Sequence, residues 1–312
     1  MNYFTTKQTA NLLGYNDDSY IRKLLLSGKL AAKKIGTQWM ISEESIHKYK
    51  VKNDIKSKHK ALLSFNEELR ILADKMLDRT VKLEGPRDMF ASFAIGKCYK
   101  THAAILLLCR QGYGEDASVL ARSLFDLLIN LLYILADKND ERAYRYFRYD
   151  WVLRKKMFEY AKGKPEIIDK IQQRANNPLP NDVTIKEVEE QTKLVQKMYK
   201  YSNNGWSDKS LHDMALEVDR IDAYQTVYRL QCQLHHNLSR SVNEYAKQEK
   251  NGIVFNVGQS ENWVEESLVV AFDFFYYIVV AFNSHYKLNL DKEILELESR
   301  YASQLSDLNK KV

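Results

Sequence analysis

Phe4-Thr5-Thr6-Lys7-Gln8-Thr9-Ala10-Asn11-Leu12-Leu13-Gly14, followed by Ile21-Arg22-Lys23-Leu24 and Ser27-Gly28-Lys29-Leu30, decides how the chain begins to fold. Thr5 and Thr6 are N-cap candidates for a short helix over residues 7–13, with Ala10, Leu12 and Leu13 as its apolar positions. Gly14 is placed to end it, and Tyr15-Asn16 makes the turn. A second helix, capped by Asp17 or Asp18, runs to about Ser27, with Ile21, Leu24 and Leu25 at helical spacing and Gly28 as its breaker. Extended segments over 30–35 and 38–41 follow, joined by Gly36-Thr37 as a tight turn. Ser42 then caps a third helix, with Glu43 and Glu44 in its first turn and Ile46 and Tyr49 facing inward.

Completed by Ala32-Lys33-Lys34-Ile35-Gly36 and Ile41-Ser42-Glu43-Glu44-Ser45-Ile46, this order resembles the excisionase-type, MerR-like winged helix-turn-helix family over most of the first 50 residues. The resemblance implies double-stranded DNA as the partner, with the second helix in a major groove and the hairpin on backbone or minor groove. On that reading Lys23, Lys29, Lys33 and Lys34 contact phosphates, which position the protein without specifying sequence. Ser19, Tyr20 and Arg22 are the candidates for base reading, and Thr37, Gln38 and Trp39 occupy the wing. Trp39 has two readings, as core under the wing or as a stacking group on sugar. So small a head meets few phosphates, so two copies are expected, with the larger domain forming a homodimer.

The charge distribution agrees. Residues 1–60 hold twelve Lys or Arg against five Asp or Glu, while the rest of the chain holds 35 against 36. The chain's +6 is therefore carried by its first 60 residues, the pattern of a basic module on a near-neutral body. Three cysteines, at 98, 109 and 232, have no metal spacing and point to a reduced, cytoplasmic setting. The first residues lack the pattern of a signal peptide. Residues 267–286 are the most apolar, but Asp273 interrupts them, which favours a buried bundle helix over a membrane span. No cofactor motif, glycine-rich phosphate loop, metalloprotease pair or nucleophile elbow is present.

With four prolines and eleven glycines in 312 residues, the fold class is mainly α. The expected organisation is a winged helix-turn-helix domain over 1–52 and an all-helical bundle domain over 53–312. The basic stretch 48–60 reads either as a helical extension or as a linker. Expected body helices cover 59–78, 87–110, 114–137, 140–161 and 165–175; a loop at 176–181 precedes 184–200, 208–219, 222–248, 262–286 and 291–308. Tyr144, Tyr146, Tyr149 and Tyr160 alternate with basic residues. They fit either a stacking surface for nucleic acid or an amphipathic bundle helix.

Two pairs in the body carry possible chemistry. Arg122 and Asp126, four apart in an apolar helix, share a face and read as a structural ion pair or as a ligand-binding pair. Arg229 and His236, seven apart, also share a face, and their spacing fits the Arg-x(4–6)-His pattern of HEPN-type ribonucleases. That resemblance implies metal-independent cleavage of an RNA substrate; a satisfied buried network is the other reading. His102 and His285 have no ligand spacing between them. The segments Val119-Leu120-Ala121-Arg122-Ser123-Leu124-Phe125-Asp126-Leu127 and Trp206-Ser207-Asp208-Lys209-Ser210, with Tyr224, Tyr228, Arg229 and His236, resemble an all-helical bacterial family of unknown function over about 90–245. That family usually has Glu in place of Asp126 and Ser in place of Cys232. The function classes left open are a DNA-binding regulator or adaptor, a targeted nuclease or toxin, and a mobile-element accessory protein.

Overall fold

Thr5 forms a capping box in the computed structural model, which describes residues 2–79, 81–161, 163–167, 170, 185–201, 205–249 and 252–309. The Thr5 hydroxyl accepts from the Gln8 amide at 3.3 Å, and the Gln8 side chain accepts from the Thr5 amide at 2.9 Å. This starts α1 (Thr6–Leu12), and α2 (Ser19–Leu26) follows across the turn. Asp17 accepts from the Ser19 amide at 2.7 Å, while Asp18 accepts from the Thr6 hydroxyl at 2.6 Å and so ties the starts of the two helices together. The wing strands are β2 (Ala32–Ile35) and β3 (Gln38–Ser42), with Gly36 in the left-handed region at φ +60°. A strand not expected from the sequence, β1 (Tyr3–Thr5), pairs antiparallel with β3 and gives the order β1-β3-β2. Three residues are too few to show alternation, and its partner lies almost forty residues away.

Ala10, Ile21, Leu24, Leu30, Ile41 and Ile46 form the core of this head, with Phe4, Leu13 and Leu25 packed against it. Ser42 caps α3 (Glu43–Lys58) through the Ser45 amide at 3.2 Å. The stretch 48–60 is therefore helical up to Lys58, and position 52 falls inside α3. His59 separates it from α4 (Lys60–Leu77). The remaining body helices are α5 (Pro86–Gln111), α6 (Gly114–Leu135), α7 (Glu141–Ala161), α8 (Ile185–Met198), α9 (Leu211–Glu217), α10 (Arg229–His235), α11 (Val264–Tyr286) and α12 (Asp291–Asn309). Residues 171–184, which include the expected loop at 176–181 and the end of the expected helix 165–175, lie outside the described residues.

The expected helix over 222–248 is the main departure. A short turn at Ile221–Ala223 leads into a π-helical turn, Tyr224–Tyr228, and then α10. Asn237, at φ +50°, ends α10: its amide donates to Leu234 and the Leu238 amide to Gln233, the bond pair of a Schellman stop. A hairpin follows, β4 (Ala246–Glu249) paired with β5 (Gly252–Phe255). Gly252, at φ +138°, opens β5 opposite Glu249.

The chain divides into two compact units. Unit 1 comprises Met1–Arg79, Ile95–Phe125 and Thr226–Val312. Its centre is α11, whose Leu268, Ala271, Phe272, Phe275, Ile278 and Val279 are all buried and which packs on α4. Asn66 of α4 donates to the carbonyls of Leu62 at 2.8 Å and Leu268 at 3.2 Å, and His102 Nε2 meets its amide oxygen at 2.8 Å. Helices α6 and α11 are long and apolar enough to cross a membrane, yet 56% and 67% of their most apolar windows are buried. Unit 2 comprises Thr80–Ala94 and Asp126–Gln225. There α7 packs on α8, and Phe90, Tyr146 and Trp206 form an edge-to-face cluster with ring centroids 4.6 and 5.3 Å apart. Arg145 donates to the carbonyls of Trp206 and Lys200, both at 2.8 Å, and Arg148 to the Tyr199 hydroxyl at 2.8 Å. Most of the aromatic and basic pattern of α7 is thus spent on packing, leaving Tyr144 and Tyr160 exposed.

Two stability predictions follow from unit 1. A Cβ at Gly114 would sit 2.1 Å from the Asn262 carbonyl oxygen, where the starts of α6 and α11 meet. Gly114→Ala is expected to destabilise by about 1–3 kcal/mol, read from the denaturant midpoint; an unchanged midpoint would refute this packing. Burial brings the His102 pKa down to about 3, with Arg70 adding to the effect, and pushes Asp273 up to about 7. His102 costs stability as pH falls from about 6.5 towards 3, because the unfolded chain takes up its proton first. Asp273 acts oppositely: its contribution is present below 3.8 and lost as pH rises through about 7. Asp273→Asn should therefore gain on the wild type between pH 5 and pH 7, by about 1.4 kcal/mol per pH unit. A difference in unfolding free energy that stays constant with pH contradicts this assignment.

Candidate nucleic-acid interface

On α2, Ile21 and Leu24 turn into the core, which leaves Ser19, Arg22 and Lys23 on the outer face, all exposed. The Arg22 guanidinium is held by Asp18 at 3.1 Å, one turn back, and its side chain remains 64% exposed. The same carboxylate lies below its usual pKa because Thr6 and Arg22 donate to it. Arg22 is thus oriented by a group fixed to α1 while its remaining N–H donors face solvent, a geometry suited to a base edge.

Tyr20 behaves differently from its neighbours. Its ring packs on Tyr15 with centroids 4.6 Å apart, and it lines a cleft beside α3 together with Tyr49. The expected base reader thus has part of its surface committed to the head itself. Lys29 follows Gly28, which is left-handed at φ +69°, and lines the same cleft.

The wing presents Lys33, Lys34, Thr37 and Gln38 to solvent. Cross-strand pairing sets Lys34 opposite Trp39, and the Lys34 ammonium lies 5.8 Å from the Trp39 ring centroid. Trp39 is 36% exposed and stands outside the buried cluster of the head, so its reading as core is not the one adopted by the fold. Base-reading and phosphate-contacting candidates therefore share one folded head.

In the body, Arg122 donates to the Tyr228 hydroxyl at 2.7 Å and to Cys232 Sγ at 3.1 Å, with its guanidinium 4.7 Å from the Tyr228 ring centroid. Phe125 packs on Tyr228 and on Phe274, joining this cluster to the core of unit 1. Asp126, the expected partner of Arg122, is half-buried in the middle of α6. The Tyr228 and Cys232 contacts join segments more than one hundred residues apart and are not expected from the sequence. Arg229 and His236 are both exposed, on either end of α10. Seven residues of helix separate them by about 10 Å along the axis, so only the long arginine side chain can bring them to one group. The rings of His235 and His236 pack edge to face at 4.7 Å.

Among the described residues no group of three His, Cys, Asp or Glu is arranged to hold a metal ion. His102 is buried against Asn66 and Phe275, and Cys98 and Cys109 are buried free thiols. Burial pushes the Cys109 thiol up to about 12, which removes it from nucleophilic chemistry near neutral pH.

Comparison with known proteins divides the chain into two matched regions. The model of a helix-turn-helix domain matches residues 3–53, which points to binding of double-stranded DNA. No curated protein and no solved structure matches the chain. The model of a family of unknown function, DUF5677, matches residues 88–253, more than half of the sequence. The chain belongs to that family, and carries the helix-turn-helix domain in front of its family region.

Proposed function

We propose that this protein is a DNA-binding regulator or mobile-element adaptor, whose winged head reads a DNA site and whose helical body dimerises or recruits. The observation that carries the reading is the shared exposure of Ser19, Arg22 and Lys23 on α2 with Lys33, Lys34, Thr37 and Gln38 on the wing. Three exposed wall positions on a helix and a flanking basic hairpin match the requirements of a groove and its bordering phosphates. A second copy is part of the proposal because one head offers few phosphate contacts. The β4–β5 hairpin supports it: Ile253, Val254, Phe255 and Val257 are 63%, 49%, 58% and 93% exposed, an apolar surface that an isolated two-stranded hairpin does not cover.

Recovery and sequencing of DNA bound by the intact protein tests this reading. A two-fold symmetric site, lost when residues 1–52 are deleted, is the expected result; DNA enriched equally without the head would overturn it. On the recovered site, Lys33→Ala with Lys34→Ala should weaken binding uniformly across sequences and lower the salt slope by about 2. Arg22→Ala should instead cost about 1–3 kcal/mol and relax preference at one base position. Equal behaviour of the two variants would remove the distinction between positioning and reading.

A second reading, metal-independent RNA cleavage by Arg229 and His236, is supported by the exposure of both side chains beside the π-helical turn, a feature frequent at functional sites. Labelled RNA incubated with purified protein tests it. Cleavage lost in His236→Ala and kept in His235→Ala supports the pair, whereas equal loss, or an intact wild-type reaction mixture, rejects it.

A further inference from the structure

A cleft of about 820 Å³ opens within unit 1 beside the head. Tyr20 from the first turn of α2 and Lys29 from the loop after it form one wall, and α3 forms the next through Lys52 and Lys56. Lys60 and Arg110, from the first turn of α4 and the last of α5, complete it. Five cations thus face one open space. Its acidic residue, Glu67, is already engaged by Arg110 and lies 4.0 Å from Arg70. Among the described residues, Lys29, Lys52, Lys56 and Lys60 form no ion pair, while the neighbouring Lys48 and Lys58 are paired with Glu44 and Glu261. Lys48 and Lys58 are not among the residues that line the cleft.

We propose that this cleft holds the phosphate backbone of DNA flanking the site under the head, so that the body, through α4 and α5, is part of the DNA-binding surface. The proposal rests on the DNA-binding reading above. Three features select a polymer backbone over a small anion. Ligand pockets for small molecules are mostly apolar and enclosed, whereas this one is open to solvent and lined by five cations. Lys52 and Lys56 are one helical turn apart, about 6 Å along α3, so successive ammonium groups face different points of an extended partner rather than one. Tyr20 belongs both to the cleft and to the recognition helix, and Lys29 follows that helix by three residues, so a duplex on the α2 face lies next to the cleft. The physical effect is counterion release at phosphates that a 52-residue head does not reach by itself.

The experiment uses the full chain, the recovered DNA site in a long duplex, and the same site trimmed of its flanks. Lys52→Ala, Lys56→Ala and Lys60→Ala combined should lower the salt slope on the long duplex by about 2.7. Equivalently, the wild type should lose about 40-fold more affinity than the variant between 50 and 200 mM salt. The deficit should disappear on the trimmed duplex, and the corresponding triple Arg variant should keep the wild-type slope. An unchanged slope in the triple Ala variant, or an equal deficit on both duplexes, overturns the proposal while leaving the head reading intact. Micromolar binding of ATP or pyrophosphate without DNA, lost in the triple Ala variant, would make a free phosphorylated ligand the occupant and overturn it as well. A wild type that binds no duplex, long or trimmed, overturns both readings, and loss in Lys33→Ala/Lys34→Ala alone identifies the head as the whole of the interface.

Discussion

One uninterrupted helix, α3, holds the head and the helical body of unit 1 in a single frame. Its first turns complete the head, where Ile46 is buried with Ile21, Leu24 and Ile41. Its later turns bury Val51 and Ile55, with Val51 set against Gly112 at the end of α5. Polar contacts reinforce the join: His47 Nε2 donates to the Gln259 carbonyl at 3.1 Å, Lys58 pairs with Glu261 at 2.6 Å, and His59 lies 3.7 Å from Glu265. A flexible linker would let head and body reorient, whereas a helix with two differently buried faces fixes the direction in which the basic residues point. The cleft beside α2 exists because of this constraint. So does the separation of lysines into those that neutralise carboxylates and those that remain available to an anion.

The body spends its own cations differently. Arg70 lies 3.9 Å from the Tyr99 ring centroid and donates to the Tyr99 carbonyl at 2.7 Å. Arg142 donates to the Tyr133 carbonyl at 2.8 Å and lies over that ring at 3.7 Å. Arginine suits such positions because its planar, weakly hydrated guanidinium stacks on aromatic faces and still donates hydrogen bonds at its edge. The near-zero charge of the body comes from the balance of Lys and Arg by Asp and Glu, while several of its arginines are used in internal contacts. Arg122 follows the same rule with Tyr228, a contact that joins two distant segments of the family region.

Much of the head was legible because its signals are local. Thr5 and Gln8 are three residues apart, Gly28 and Gly36 mark their turns, and the spacing of Ile21 and Leu24 states which face of α2 is buried. The long body helices were legible for the same reason, through apolar periodicity sustained over five or six turns. The stop of α10 was written in Asn237, yet helical propensity over 222–248 outweighed it. The contacts of Arg122 with Tyr228 and Cys232 span more than one hundred residues, a separation at which no spacing rule operates.

The sequence by itself determined the order of the head's elements, the mainly α class, and the concentration of positive charge in the first 60 residues. Each of these depends on neighbours within a few turns, or on composition alone. Only the tertiary structure decided that α3 continues into the body, that Tyr20 turns partly into a cleft, and that the aromatic and basic pattern of α7 serves packing. It also decided which lysines meet a carboxylate. Those outcomes depend on which surfaces meet after the chain has folded back on itself, and charge in the sequence carries no direction until the helices that bear it are packed.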